Sequence, residues 1–230
     1  MRRDIHIFLD GPNSSDLEAH FEYCDGTTFN PTLFSKLGVV DYLAQCKFLG
    51  ENYGSKPLSL EVVADDEDNM IRQAKLLSEI GENIWVKIPI SFSNGQTTSS
   101  VLTHLSECGI KLNVTAVFTL EQCRTIEQAV EPGFGANLVV SVFAGRLFDI
   151  GIDAKSLMEE IVSWNKQNLG AQILWASPRQ SYDVILANQV SCDIITVPPT
   201  MFSKLEMVGK SPIDYSLSLI HISEPTRQEA

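Results

Sequence analysis

Apolar positions along this chain fall into two alternating periods. Short β-branched or every-other-residue runs of strand type are each followed by a longer stretch with apolar residues three and four apart. The first strand covers 5–10 and stops at Gly11-Pro12-Asn13, a turn whose Asn or a following Ser caps a helix running to about Cys24. A short strand and polar turn at 26–31 precede a helix over 33–52 with a break at Gly38. Further strands are predicted at 58–63, 84–89, 111–118, 137–143, 172–176 and 193–197. One helix between them begins in the acidic run Asp65-Asp66-Glu67-Asp68 and ends at Gly81, and a second runs through Glu107 to Cys108-Gly109. Others cover 120–130, 154–168 and 179–189. A polar loop at 91–98 follows the fourth strand, and a loop joins Ala144-Gly145-Arg146 to the helix at 154.

Strands that alternate with helices of this length pair in parallel through right-handed crossovers. Eight such units close into a (β/α)8 TIM barrel, the α/β fold class expected here. An open doubly wound sheet is the second choice, but it calls for a glycine-rich phosphate turn after an early strand, and the chain has none. With 230 residues, 44% of them hydrophobic, the chain suits a single domain, expected over 1–216. Residues 217–230 are set apart, because LSLIHISEPTR at 217–227 resembles the translation of a sequencing adaptor. A non-native tail and a missing or replaced last helix are expected there.

Charge narrows the partners. Acidic residues outnumber basic ones 29 to 17, a net charge of −12 without a basic stripe, which argues against nucleic acid or an anionic membrane surface. Any phosphate site must then be local. The five cysteines are widely spaced with no two-residue pairing, as for reduced thiols. No apolar run approaches the ~20 residues of a membrane span, so a soluble, cytoplasmic protein is expected.

The strand Ile84-Trp85-Val86-Lys87-Ile88-Pro89 holds a single lysine in an otherwise apolar run. An amine held among apolar side chains is more often neutral and nucleophilic, as a Schiff-base lysine must be. A strand-end lysine also snorkels to water or pairs with a carboxylate, and the local pattern leaves both open. In a barrel the C-terminal strand ends form the active face. There the chain places Asp10, Thr28, Asn30, Glu61, Lys87, Asn113, Thr115, Ser141, Arg146, Ser177 and Arg179. Singly, each has a plain structural role: Asp10 as a turn cap, Glu61 as a salt-bridge partner of Lys87, Asn113 and Thr115 as loop ties. Together they converge on one mouth. Arg146 and Arg179, with Ser177 two residues before the latter, have the chemistry of a phosphate clamp or of solvated surface arginines.

The stretches FLD (8–10), TFNPTL (28–33), SLEV (59–62), VKIP (86–89), LNVT (112–115), VFAGR (142–146) and SPR (177–179) resemble, in this order, the transaldolase and fructose-6-phosphate aldolase family. The resemblance implies a class I mechanism on a barrel that uses no metal or other cofactor. Lys87 matches the Schiff-base lysine, and Asp10 and Glu61 match the carboxylates that move protons, Glu61 through a water. Thr28, Asn30, Asn113 and Thr115 match residues that orient that water and the dihydroxyacetone unit. Ser141 matches a serine of the same pocket, and Arg146, Ser177 and Arg179 match the phosphate-binding set. Glu61 and Phe143 favour the transaldolase branch over the aldolase branch, which carries glutamine and tyrosine at these places.

The activity implied by the resemblance is transfer of a three-carbon dihydroxyacetone unit from a ketose phosphate to an aldose phosphate. Such a transfer serves the pentose phosphate pathway or the making of an unusual sugar. Sugar phosphates are the implied small-molecule partners, and a homo-oligomer the implied assembly. The alternatives are an aldolase that releases free dihydroxyacetone and a sugar-phosphate-binding barrel without turnover. Departures from the family pattern are Phe29, where a second threonine is usual, and the prolines Pro178, Pro198 and Pro199.

Overall fold

A computed structural model describes residues 5–222. Its strands are β1 (His6–Asp10), β2 (Gly26–Thr28), β3 (Leu58–Glu61), β4 (Ile84–Pro89), β5 (Leu112–Val117), β6 (Leu138–Val142), β7 (Gln172–Trp175) and β8 (Ile194–Val197). They pair in parallel in that order, and β1 closes on β8, which makes the expected (β/α)8 barrel. The helices between and after them are α1 (Ser14–His20), α2 (Pro31–Lys36), α3 (Tyr42–Tyr53), α4 (Glu67–Ser78), α5 (Ser99–Glu107), α6 (Leu120–Ala129), α7 (Ala144–Asp149), α8 (Ala154–Gln167), α9 (Asp183–Gln189), α10 (Pro199–Phe202) and α11 (Pro212–Ile222).

The two-residue period of each strand sorts its side chains between two environments. Ile7, Leu60, Val86, Ile88, Val114, Val140 and Ile195 join the apolar faces of the helices in the main core. The alternate set points into the barrel, where Phe8, Val139, Leu174 and Ile194 form a separate apolar plug flanked by Trp85 and Phe143. A Cβ on Gly26 would lie 2.7 Å from the Phe8 ring, so glycine is what lets β2 pass this plug. Above it the inward positions turn polar.

Local chemistry sets the helix starts. Asn13 and Thr119 head capping boxes on α1 and α6, and Asp41, Asp66 and Asp153 cap α3, α4 and α8. The helix expected over 33–52 is two helices, parted at Gly38 with φ +75°. Four bounds differ from expectation. α1 ends at His20, short of about Cys24, and the chain continues as a 3-10 turn over Phe21–Tyr23. α4 stops at Ser78, whose hydroxyl turns back to the Lys75 carbonyl at 2.8 Å, and not at Gly81. The loop expected after β6 is wound into α7, because the Phe143 carbonyl accepts the N–H groups of Arg146 and Leu147 at 3.0 and 3.2 Å. α9 begins only at Asp183, since the carboxylate of Asp183 accepts the backbone N–H groups of Arg179 and Gln180 and holds that stretch as loop.

A terminal helix, α11, does follow the barrel, started where the Ser211 carbonyl accepts the Tyr215 N–H at 2.9 Å. It packs little against the barrel: all of 212–219 is exposed, and Ile213 is 72% exposed. A groove of about 160 Å³ lined by Ile5, Ile7, Val184, Ile185, Leu205 and Val208 stays open beside β1. Of the tail expected at 217–230, residues 217–222 belong to α11 and 223–230 lie outside the described residues. Among the described residues no helix is long and apolar enough to cross a membrane.

Candidate active site

Strand register assembles the site. Pairing sets Asp10 beside Thr28, Glu61 beside Lys87, Lys87 beside Asn113, and Pro89 beside Thr115. Apart from Asn113, these positions share the C-terminal mouth and, with the adjoining loops, enclose a cavity of about 590 Å³. Asp10, Thr28, Asn30, Glu61, Lys87, Thr115, Ser141, Phe143, Arg146 and Ser177 all line it. Of the residues singled out in the sequence, Asn113 and Arg179 do not.

Lys87 is 6% exposed. Its Nζ lies 3.1 Å from Glu61 Oε2 and donates to the Phe29 carbonyl at 3.2 Å. The ion pair that a structural role for Glu61 requires is therefore present, and both of its members face the cavity. Phe29 serves Lys87 through its main chain alone. Its ring is buried in the outer core against Phe34, at 5.0 Å between centroids, so the change from threonine falls on the far side of β2 from the cavity.

Asp10 accepts a hydrogen bond from Thr28 Oγ1 at 2.9 Å. Burial pushes its carboxyl above the usual carboxylate range, against the opposing pull of Lys87 and of the Thr28 hydrogen bond. A carboxyl so placed takes and returns protons nearer neutral pH. Its cost to the fold has a sign. The native state holds the Asp10 proton more tightly than the unfolded chain does, so stability falls as pH rises from the ordinary value of 3.8 through the raised native one. Asp10→Asn is therefore expected to melt higher than wild type at pH 7, by a margin that closes as pH falls below 3.8, while activity drops. Melting curves of the two proteins across pH check this.

Asn113 is fully buried below the cavity floor. It donates to Ser59 Oγ at 3.0 Å and accepts from Ser141 Oγ at 2.7 Å, which ties β3, β5 and β6 together inside the barrel. Asn113→Leu would strand both serine hydroxyls, at a cost of about 2 kcal/mol. Denaturant unfolding measures it. Thr115 Oγ1 is buried with no hydrogen-bond partner among the described residues. It precedes Ala116, at φ +58°, where β5 slips register against β6 between Val114 and Val117. A bulge of this kind beside a cavity re-aims side chains into it. Asn30 spends its side-chain carbonyl as the cap of α2, on the Leu33 N–H at 2.9 Å, which leaves its amide NH2 for the cavity it lines.

The opposite wall is cationic. The Arg146 guanidinium lies 5.4 Å from the centroid of the Phe143 ring, and its Nε donates to Ser177 Oγ at 3.4 Å. Phe118 backs Phe143 at 5.5 Å. Arg179 points elsewhere: it pairs with Asp149 at the end of α7 and lines a separate hollow of about 280 Å³ with Thr200 and Lys204. Lys36 and Asp65 reach the rim of the main cavity, so Lys36, Lys87 and Arg146 face Asp10, Glu61 and Asp65. In a chain of net charge −12 this balance is a local relief from negative charge. Burial raises the thiols of Cys24, Cys46, Cys123 and Cys192, Cys46 to about 12, so none of these four offers a competing thiolate.

Ser59, Thr196, Lys36 and Asp65 belong to the site or its support and were not singled out in the sequence. For Ser59 and Thr196 the signal was there. Each is a polar residue at an inward position of an apolar strand, Ser59 two before Glu61 and Thr196 two after Ile194.

Solved structures share the barrel at low identity. One described as native KDPGal superposes with a TM-score of 0.57 at 12% identity, over 92% of this chain and 88% of that one. Dihydrodipicolinate synthase from Rhodopseudomonas palustris gives 0.57 at 12%, over 96% and 81%. These likenesses concern the fold alone. Sequence relatives are nearer. A probable transaldolase of Thermoanaerobacter sp. (strain X514) is 37% identical over 212 residues, 91% of each chain. One of Aquifex aeolicus (strain VF5) is 35% identical over 212 residues, again 91% of each. The family model described as Transaldolase/Fructose-6-phosphate aldolase matches residues 7–227, a span that takes in every residue of the cavity. The chain belongs to the transaldolase/fructose-6-phosphate aldolase family.

Proposed function

We propose that this barrel transfers a dihydroxyacetone unit from a ketose phosphate to an aldose phosphate through a Schiff base on Lys87. The observation that carries the proposal is a buried amine 3.1 Å from the Glu61 carboxylate, in one cavity with a second carboxyl, Asp10, raised by burial. The Lys87 amine adds to the ketose C2 carbonyl and water leaves, giving a protonated imine. That imine accepts the electron pair of the C3–C4 bond as it breaks. Asp10 takes the proton of the C4 hydroxyl, the aldehyde leaves, and an enamine remains on Lys87. An acceptor aldehyde then bonds to the enamine carbon while its oxygen takes the proton back from Asp10, and water releases the new ketose.

Glu61, beside the amine, relays the protons of imine formation and hydrolysis through a water. The unpartnered Thr115 hydroxyl and the Asn30 NH2 supply hydrogen bonds to the bound three-carbon unit. Arg146 and Ser177 take the phosphate, and Arg179 joins them by exchanging Asp149 for it. Glu61 and Phe143 support transfer over release of free dihydroxyacetone. The test is glyceraldehyde 3-phosphate formation from fructose 6-phosphate with and without an aldose phosphate acceptor. Transfer predicts turnover that depends on acceptor, and steady acceptor-independent release would establish the aldolase alternative.

A further inference from the structure

Thr196 belongs to none of the motifs above. It sits on β8, 5% exposed, and lines the same cavity as Asp10. The β1–β8 register sets it beside Phe8, two residues before Asp10. Its hydroxyl lies 2.7 Å from that of Thr28, which in turn lies 2.9 Å from Asp10 Oδ1.

Each hydroxyl has one proton to give. An ionised Asp10 only accepts, so Thr28 must donate its proton there, and the Thr28 oxygen is then the acceptor for Thr196. The chain runs one way, from Thr196 through Thr28 to Asp10. A hydroxyl that accepts one hydrogen bond becomes a stronger donor of the next, which favours the charge at the end of the chain. When Asp10 takes a proton, both hydroxyls can reverse without moving a side chain. The charged groups around Asp10 lie on other elements: Lys87 on β4 with Glu61 of β3 paired to it, and Lys36, Asp65 and Arg146 at the rim. The inward side chains of β2 and β8 at this level are the two threonines, and α10, which also packs on β1, carries no titratable residue.

We infer that Thr196 is a positioning residue that acts through Thr28 to favour the ionised form of Asp10, and so sets the pH at which that carboxyl exchanges its proton. The inference rests on the proposed reaction for its consequence in catalysis, but not for its test. Thr196→Val keeps the side-chain shape and removes the hydroxyl, Thr196→Ser restores it, and Thr196→Ala replaces the valine variant if that one does not fold. The Asp10 titration is followed by carboxyl NMR in the full chain, with Asp10→Asn identifying the signal. The expected result is an Asp10 pKa raised by about half a unit in the valine variant and returned to the wild-type value in the serine variant. An unchanged titration in the valine variant, or valine and serine variants alike, overturns the inference.

Where wild type also forms a borohydride-reducible adduct, the limb of the kcat/KM profile governed by Asp10 should move with the titration in the valine variant. A uniform loss at every pH, with no movement of the limb, again overturns it. Without any adduct the proposed reaction fails, and the NMR titration still decides the role of Thr196.

Discussion

Lys87→Met is expected to lower kcat/KM for dihydroxyacetone transfer by at least about 10³-fold and to leave the barrel folded. In the proposed reaction its amine holds the three-carbon unit between the two half-reactions. Lys36, also on the cavity lining, stands exposed on α2, and among the described residues it forms no ion pair with Asp10 or Glu61. Methionine has nearly the length and volume of the lysine stem, so the packing around Val86 and Ile88 is kept. Glu61 loses its partner, but its side chain is 17% exposed and turns to water at modest cost. Steady-state kinetics alongside near-ultraviolet circular dichroism check both halves of the expectation. A folded variant with wild-type turnover would remove Lys87 from the mechanism.

The second large effect is structural and reaches the site from behind. Gly145, between Phe143 and Arg146, lets α7 press against the loop after β7, with its N–H on the Ala176 carbonyl at 3.3 Å. A Cβ there would stand 1.8 Å from the Ser177 carbonyl oxygen, and that atom is backbone, in a residue already held at φ +58°. Gly145→Ala must therefore part α7 from the β7 loop. The expected cost is about 3 kcal/mol, or a fall of roughly 6–12 °C in Tm for a domain of this size. Because Arg146 and Ser177 move apart, KM for phosphorylated sugars should rise as well. Gly81→Ala is the control: its Cβ would meet only Ile84, at 4.0 Å, and Tm should hardly change. Equal melting of the two variants would show that α7 yields freely.

The barrel was visible in the chain because its strands carry a two-residue period that separates core-facing from inward-facing positions, and because eight of them alternate with helices. The same period explains Phe29, whose outward position separates it from the cavity, and it marks Ser59 and Thr196 as inward polar residues. The features hidden in the sequence depend on partners distant along it. Arg179 is turned aside by Asp149, thirty residues away. The late start of α9 comes from a single carboxylate, Asp183, which draws in the backbone ahead of it. α7 has no side-chain cap to announce it and forms on the carbonyl of Phe143, just past the end of β6. The raised carboxyl of Asp10 is likewise a product of enclosure, which no local pattern encodes.

A Schiff base at Lys87 would show itself in the intact mass of the protein after incubation with fructose 6-phosphate and borohydride, with Lys87→Met treated in parallel. The predicted result is a reduced three-carbon adduct on the wild type that is lost in the variant. A well-folded wild type that gains no adduct with this donor, or an adduct that persists in Lys87→Met, would contradict covalent catalysis by this lysine.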